Sequence, residues 1–415
     1  MPPPGPSKPI LLLCQHFYPE MISTGMHMTE LAGALTRLGS KLTVCCAQPS
    51  LLIESANPRV ASRMDYQGIT IVRVPSSGSH AGGLLGRLLF ALTYSVSTAW
   101  FVLRNHRKFG GMLVTTNPPF LGLVGWLANK LFSTRYVVIV YDVYPDIVVR
   151  LGRLGASSWI ARVWEWTNSL VLNAAFANVV IGRDMMDIVA RKAAARNRGK
   201  FVLIPNWSDD EIVAPVPREE NGFRKEYCAG EVFVVQYSGR MASTHNLEPL
   251  VEAAGLLVDR HVLFQFIGDG AKKQALAKMA AEKQLKNVQF LPYQPMERLG
   301  EVLSAADLAV VCLEKTFTGL SVPSKAYGIM AGGTPILGFL DEEGEIGRTI
   351  SENDCGVVLP DPTGEQVART IEDLLRDPER LRRMGRNGYE AFKANYTLKR
   401  SAEKYGKVLA AMSAG

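Results

Sequence analysis

The segment from Gly319 to Pro335 reads G-L-S-V-P-S-K-A-Y-G-I-M-A-G-G-T-P. It follows an apolar β-like run, Leu308 to Val311, and sets Pro323 where a helix can begin, with Ser324 and Lys325 in its first turn. A helix start of this kind presents unpaired backbone N–H groups, the positive end of the helix dipole and a lysine ammonium to one anion, phosphate being the obvious guest. The same residues would also suit a capped surface helix with a solvated lysine, so the surroundings must decide.

Similar chemistry recurs wherever a strand-like run gives way to a turn, the edge at which open α/β sheets bind ligands. Phe233 to Tyr237 runs into Ser238, Gly239 and Arg240, with His245 and Asn246 just ahead of the next helix. An arginine there can clamp a diphosphate with two parallel hydrogen bonds, or can simply be a surface cation. F-I-G-D-G, containing Gly268, Asp269 and Gly270, is a junction that allows close backbone approach. It is not a dinucleotide fingerprint, because Lys273 stands where the third glycine belongs. Gln15 to Gly25 delivers a glycine to a helix N-terminus, for a phosphate or for a tight turn. Y-D-V-Y-P-D, Tyr141 to Asp146, puts two carboxylates at one strand end, and Asp142 could orient or deprotonate an acceptor hydroxyl or act as a cap. In D-E-E-G-E, Glu345 is singled out as a partner for ribose or sugar hydroxyls.

No Asp-x-Asp pair, H-E-x-x-H motif or cysteine-histidine cluster occurs, so neither a metal nor another cofactor is expected. The six cysteines form no C-x-x-C pair and sit in or beside apolar runs, which reads as buried thiols in a reducing, cytoplasmic setting. The start, M-P-P-P-G-P-S-K-P, lacks an apolar signal core.

Charge is unevenly spread. Residues 1–205 carry 21 Lys and Arg against 9 Asp and Glu, whereas residues 206–415 carry 25 against 30. No acid occurs between Asp65 and Asp142, while Arg73, Arg87, Arg104, Arg107, Lys108, Lys130 and Arg135 do. These cations are interleaved with long apolar runs rather than clustered with exposed aromatics, which disfavours nucleic acid and suits an anionic membrane surface. Leu84 to Leu103 is long enough to span a bilayer, but Arg87 and several hydroxyls dilute it. A helix lying in the interface or buried in the domain is expected.

These sites need a frame. With 415 residues, two domains are expected. Apolar strand runs alternate with helical patterns at Ile10 to Cys14, Leu42 to Ala47, Ile69 to Val74, Met112 to Thr115, Val137 to Val140, Val179 to Ile181 and Phe201 to Ile204. Such runs predict a parallel sheet covered on both faces. The stripe Ile160, Val163, Trp164, Thr167, Leu170, Val171 predicts one covering helix, its aromatics in the core. Pro205 to Glu231 reads as a linker followed by a short helix. A second alternation follows, with strands at Phe233 to Tyr237, Leu263 to Ile267, Val288 to Phe290, Leu308 to Val311, Pro335 to Leu337 and Gly356 to Val358. The expected domains are residues 1–205 and 206–395, with helices of about 396–415 packing back onto the first.

In order and spacing, H-F-Y-P-E from His16 with S-T-G ending at Gly25, T-T-N-P-P from Thr115, Y-D-V-Y-P-D, I-P-N from Ile204, Y-S-G-R, F-I-G-D-G and V-P-S-K-A-Y-G-I-M-A-G-G-T-P resemble a family 4 glycosyltransferase of GT-B fold. The branch is the WbuB and colanic-acid type of bacterial surface polysaccharide assembly. The resemblance covers nearly the whole length. It implies an α/β architecture of two Rossmann-like, doubly wound domains with an interdomain cleft, the donor nucleotide sugar held mainly by the second domain and the acceptor by the first.

By position, Gly25, Arg240 and Lys325 would bind donor phosphates, and Gly268 to Gly270 with Pro323 and Ser324 would border the nucleotide. Gly239, His245, Asn246 and Glu345 fall on the same donor side, and His16, Asn117, Tyr141, Asp142 and Asp146 on the acceptor side. Asp142, Arg240 and Lys325 are the expected catalytic residues. There are departures. A glutamate pair common in relatives is replaced by Leu320 and Gly328, leaving Glu345 as the substitute, the lysine usual after G-R is absent, and the histidine often preceding the acceptor-side aspartate is Tyr141.

The expected activity is therefore a retaining, metal-independent transfer of a sugar, from a donor expected to be UDP-linked, to a lipid-linked or small glycan acceptor at the inner membrane face. A nucleotide-sugar 2-epimerase or hydrolase of the same fold, or a non-catalytic nucleotide-sugar-binding partner, are the alternatives.

Overall fold

The computed structural model describes residues 8–20, 23–49, 60–77, 84–228 and 230–414. The proline-rich start through Ser7, Met21 and Ile22 of the loop before Gly25, and the Arg87 side chain lie outside the described residues. The chain forms two compact units. One comprises Met1–Pro205, Gly319–Ser321 and Leu398–Gly415, the other Asn206–Thr318 and Val322–Thr397.

The first unit runs β1 (Ile10–Leu13), α1 (Ser23–Arg37), β2 (Leu42–Cys46), β3 (Arg63–Tyr66), β4 (Ile69–Arg73), α2 (Leu84–Asn105), β5 (Gly111–Thr115), α3 (Gly122–Phe132), β6 (Tyr136–Val140), α4 (Asp146–Arg150), α5 (Trp159–Ala174), β7 (Ala177–Val180), α6 (Arg183–Arg191) and β8 (Phe201–Leu203). Its eight strands lie in the order β3-β4-β2-β1-β5-β6-β7-β8. All pairings are parallel except β3 with β4, which is antiparallel. The central strands are buried along their whole length, as a sheet covered on both faces requires.

β3 departs from the expected all-parallel sheet. Its sequence R-M-D-Y has no apolar run, because at the edge its alternate residues face solvent; it pairs with β4, and its Tyr66 stacks on Tyr18 at 3.9 Å.

Two helices also differ from expectation. α5 turns Ile160 and Val163 outward with Trp159 and Trp166, and buries Ala161, Val171 and Leu172. The expected stripe is rotated, since only a narrow face of α5 meets α3. α2 buries Phe90, Tyr94, Thr98 and Val102 at four-residue steps, Tyr94 donating to the Cys45 carbonyl at 2.9 Å, and leaves its opposite face exposed. Among the described residues no helix is long and apolar enough to cross a membrane.

The second unit runs α7 (Gly222–Tyr227), β9 (Phe233–Ser238), α8 (Glu248–Leu256), β10 (Val262–Ile267), α9 (Lys273–Glu282), β11 (Val288–Leu291), α10 (Leu299–Ser304), β12 (Leu308–Cys312), α11 (Lys325–Ala331), β13 (Ile336–Phe339), α12 (Glu345–Glu352), β14 (Gly356–Val358), α13 (Gly364–Leu375) and α14 (Pro378–Asn395). Its six strands are all parallel, in the order β11-β10-β9-β12-β13-β14. Thr363 and Gln366 close a capping box on α13, which packs Val367, Ile371 and Leu374 into the core. α14 packs against α11 in this unit, and α15 (Leu398–Ala414) packs on α1 in the first.

Segment 206–221 is not a detached linker. Arg218 and Arg224 both bind Asp307 at 3.0 Å, and Asn221 caps α7 while donating to the Glu301 carbonyl. All six cysteines are buried free thiols.

Candidate active site

In the second unit the ends of β9 and β10 are laced together. Gly239 N donates to the Ile267 carbonyl at 2.9 Å, Met241 N to Asp269 O at 2.8 Å, and Lys272 N to Met241 O at 3.1 Å. This packing leaves no room for side chains: a Cβ at Gly268 would lie 2.3 Å from Gly239 O, and one at Gly270 2.3 Å from Met241 O. With φ of 126° and 150°, both positions also demand glycine on backbone grounds. Asp269 is exposed and accepts from the Gly270 N–H at 2.8 Å.

Onto this platform α11 directs Lys325. Its Nζ is buried without a hydrogen-bond partner, 3.8 Å from the Tyr237 ring centroid and 3.1 Å from where a Gly239 Cβ would sit. Burial pulls the amine down to about 8, with the Cys312 thiol acting the other way. Arg240, next to Gly239, is exposed. A buried cation with no hydrogen-bond partner, set against a strand end and near an exposed guanidinium, has the chemistry to receive an anion such as a diphosphate.

The helix start differs from expectation. α11 opens at Lys325, with Ser324 as N-cap and Pro323 ahead of it, and the Ala326 and Tyr327 amides are taken by the Pro323 and Ser324 carbonyls at 3.2 Å each. The ammonium, rather than a full ring of free amides, is therefore the main offer to an anion.

His245 does not add charge. Tyr237 Oη donates to the Arg240 carbonyl at 2.6 Å, and the His245 Nδ1 lies 2.7 Å from Tyr237 Oη and 3.0 Å from the same carbonyl. Burial, reinforced by the neighbouring Lys325, pulls His245 down to about 3, so it stays neutral and props the Arg240 backbone. Glu345 is buried at the first residue of α12, where the helix dipole favours a carboxylate. No side-chain hydrogen bond of Asn246 is seen.

In the first unit the end of β6 carries Asp142. Thr116 Oγ1 accepts from the Tyr141 N–H at 3.1 Å and so ties the β5 and β6 ends together. Burial raises the Asp142 carboxyl to about 6, partly offset by a hydrogen bond from Ser321. Ser321 itself is held by the adjacent bond from Val143 N to the Leu320 carbonyl at 3.0 Å.

Asp142 borders a pocket of about 50 Å³ between α3 and α5, walled by Phe120, Leu123, Tyr144, Trp164 and Asn168. Phe120 and Tyr144 both pack on Trp164, at 4.7 and 5.6 Å between centroids. Asp146, expected on the acceptor side, is bound by Lys192 at 2.6 Å, and Lys192 also holds Glu165 at 2.5 Å. Its carboxylate serves that ion triad.

His16 is buried and hydrogen-bonded to Glu20 at 2.8 Å. Gly25 packs against the same loop, where a Cβ would approach Glu20 O at 3.0 Å and His16 Cβ at 3.2 Å, so its missing side chain is used for chain packing. Tyr141 is buried against His27, with ring centroids 6.3 Å apart. Asn117 lies in the turn after β5, its carbonyl accepting from Thr115 Oγ1 at 2.8 Å.

The structure thus joins Gly239, Arg240, His245, Gly268, Asp269, Gly270 and Lys325 in one cluster, and brings Asp142 near the Asp146 triad in the other unit. Sequence reasoning did not select Tyr237, Tyr293, Ser321 or Thr116. Tyr293 flanks Gly268, at 3.1 Å from the position its Cβ would take, and is half exposed. Tyr237, Ser321 and Thr116 each had a local signal, their places in Y-S-G-R, G-L-S-V-P-S-K and T-T-N-P-P.

Two parallel-sheet, Rossmann-like units, each with a cluster of polar side chains at its strand ends, define a two-domain α/β class of protein. Residues 219–391 match the family of glycosyl transferases group 1, and residues 24–207 the glycosyl transferase 4-like domain. The chain is 30% identical over 355 residues to a Pseudomonas aeruginosa protein named as the probable glycosyltransferase WbjE, covering 85% of this chain and 86% of that one. It is 24% identical over 337 residues to WcaI of Escherichia coli K12, named for colanic acid biosynthesis, covering 79% and 82% of the two chains. Among solved structures, sucrose-phosphate synthase of Thermosynechococcus elongatus superposes with a TM-score of 0.80 at 18% identity, over 98% of this chain and 99% of that one. The chain belongs to the family 4 glycosyltransferases of GT-B fold.

Proposed function

We propose that this glycosyltransferase moves a sugar from a nucleotide-sugar donor, UDP-linked, to a lipid-linked glycan acceptor during surface polysaccharide assembly, with retention of anomeric configuration and without a metal ion. The observation that carries the reading is Lys325: a buried ammonium with no hydrogen-bond partner, set against Gly239 and beside exposed Arg240. A buried cation without a hydrogen-bonded counter-charge is costly, and an arriving diphosphate would offset that cost.

In the reaction the bond from the sugar C1 to the diphosphate oxygen breaks, its electron pair leaving with the nucleotide. The acceptor hydroxyl oxygen bonds to C1 on the same face, and its proton passes to a donor phosphate oxygen. Arg240 and Lys325 stabilise the charge growing on the leaving diphosphate, which is where electrostatic help lowers the barrier most. Asp142, ionised above about pH 6, accepts a hydrogen bond from the acceptor hydroxyl and orients it. The basic stretch from Tyr66 to Tyr141, free of acids, supports work at the anionic inner face of the cell membrane.

The test is product analysis with a panel of nucleotide sugars and lipid-linked acceptors, with and without EDTA. Transfer that survives chelation and gives the donor's anomer supports the reading. Donor hydrolysed or epimerised without acceptor would replace it with the epimerase or hydrolase alternative. Donor binding with no product from any acceptor would leave a binding partner.

A further inference from the structure

Two helices on one face of the first unit expose apolar stripes that the fold does not use. On α2, Leu92, Val96 and Trp100 are 63%, 62% and 56% exposed, at steps of four residues, with Leu89 and Arg104 continuing the line. The Arg104 guanidinium lies 4.2 Å over the Trp100 ring. On α5, Trp159 and Trp166 are 71% and 63% exposed, with Ile160 and Val163 beside them. α3 packs on both helices and adds exposed Leu131. Two helices with outward tryptophans, flanking a third that adds Leu131, far exceed the scattered apolar residues normal on a monomer surface.

The charges on this face are predominantly positive. Arg104, Arg107, Lys108, Lys130, Arg153 and Arg162 are exposed around it. The lone acid of the three helices is Glu165, which is occupied by Lys192 at 2.5 Å. Tryptophans with cations at their margin match the boundary between acyl chains and anionic headgroups, where an indole buries its body and keeps its N–H wet.

We infer that α2 and α5 together form a docking face for an anionic bilayer, with Trp100, Trp159 and Trp166 entering the headgroup boundary and the surrounding arginines and lysines holding the phosphates. The inference rests on the lipid-linked acceptor reading and deepens it. The small pocket bordered by Asp142 lies between α3 and α5, so α5, one of the two helices that meet the bilayer, also walls that pocket.

The experiment is sedimentation of the full chain with vesicles of phosphatidylglycerol and phosphatidylcholine against phosphatidylcholine alone, read with tryptophan emission and quenching by brominated lipids. The expected result is binding to the anionic vesicles that weakens with salt, a blue shift, and quenching. Trp100→Ser/Trp166→Ser should lower partitioning by about tenfold or more, while Arg104→Glu/Arg107→Glu should remove the preference for anionic lipid. Circular dichroism and the thermal shift given by UDP check that the variants fold. No binding at low salt, unquenched tryptophans, or variants that sediment like the parent would overturn the inference. So would a dimer in solution that the tryptophan variants dissociate without any vesicle binding. The UDP shift reads the donor site independently, so its loss would sink the transferase reading while leaving the docking result standing.

Discussion

The Lys325 ammonium rests 3.8 Å from the centre of the Tyr237 ring, and Tyr237 Oη in turn holds the Arg240 carbonyl at 2.6 Å. One aromatic side chain therefore seats one cation on its face and fixes the backbone of the other through its hydroxyl. The π-face offsets part of the cost of burying the ammonium, by about 2 kcal/mol at a desolvated site. Such a group is primed for an anion.

Lys325→Ala should weaken UDP binding by about 10- to 100-fold, the worth of a hydrogen bond to a charged group. Lys325→Arg should recover part of it. With its pKa lowered to about 8, the amine of the free protein loses its proton as pH rises past that value, and a bound diphosphate must push the pKa back up. Calorimetry from pH 7 to 9.5 should show affinity falling above pH 8 with proton uptake in the parent, and a flat profile in Lys325→Arg.

The same shift carries a stability sign. A lysine whose folded pKa lies below its unfolded value of 10.5 penalises the charged fold at neutral pH, and the penalty fades as pH rises from 8 toward 10.5. Lys325→Met should raise the Tm of the unliganded protein at pH 7, by a stability gain of about 1–3 kcal/mol, while abolishing the shift given by UDP. A fall in Tm would mean that the amine is compensated.

Asp142 has the mirrored sign. Its folded pKa of about 6 lies above the ordinary aspartate value of 3.8, so the ionised carboxylate destabilises the fold above pH 6, and that penalty disappears as pH falls through 3.8. Asp142→Asn should stabilise at pH 7.5 more than at pH 4, by about 1 kcal/mol, with kcat reduced about 10- to 1000-fold. Parent activity should fall on an acidic limb near pH 6. The neutral His245, pulled to about 3, should add no inflection of its own.

At the laced strand ends, Gly268→Ala would drive a methyl to 2.3 Å from Gly239 O at a φ of 126°. Denaturant unfolding should register a loss of about 2–4 kcal/mol, and UDP binding should fall with it. Gly199→Ala, in open space, should be close to neutral. Equal effects at the two positions would refute the packing argument.

The strand runs were readable because buried parallel strands must be apolar throughout: Ile10–Leu13 and Tyr136–Val140 have no other way to satisfy both faces. β3 was not, since Arg63 and Asp65 face water and only β4 makes the segment a strand. The helical period of α5 was plain in its sequence, but which face is buried depends on α3, and Ile160 and Val163 ended outside. Arg240, Lys325 and the glycines could be picked from residue type and position at strand ends. The seat under Lys325, and the Ser321 hydroxyl on Asp142 across 179 residues of chain, are tertiary and leave no local trace. Asp146 looked like a ligand group because Lys192, 46 residues away, gives no sign in sequence that it will neutralise it.

α15 carries Tyr405, Leu409 and Met412 into the first unit's core, its Met412 methyl filling the space beside Gly111, with Arg135 bonded to the Met412 carbonyl at 2.9 Å. Residues 398–414 therefore complete a unit built mostly from residues before 206, and that unit keeps an open seam along α1 until this seventeen-residue helix is added. No single scission frees two self-sufficient pieces, and expression of residues 1–205 without that closing helix should give a sticky, aggregating fragment.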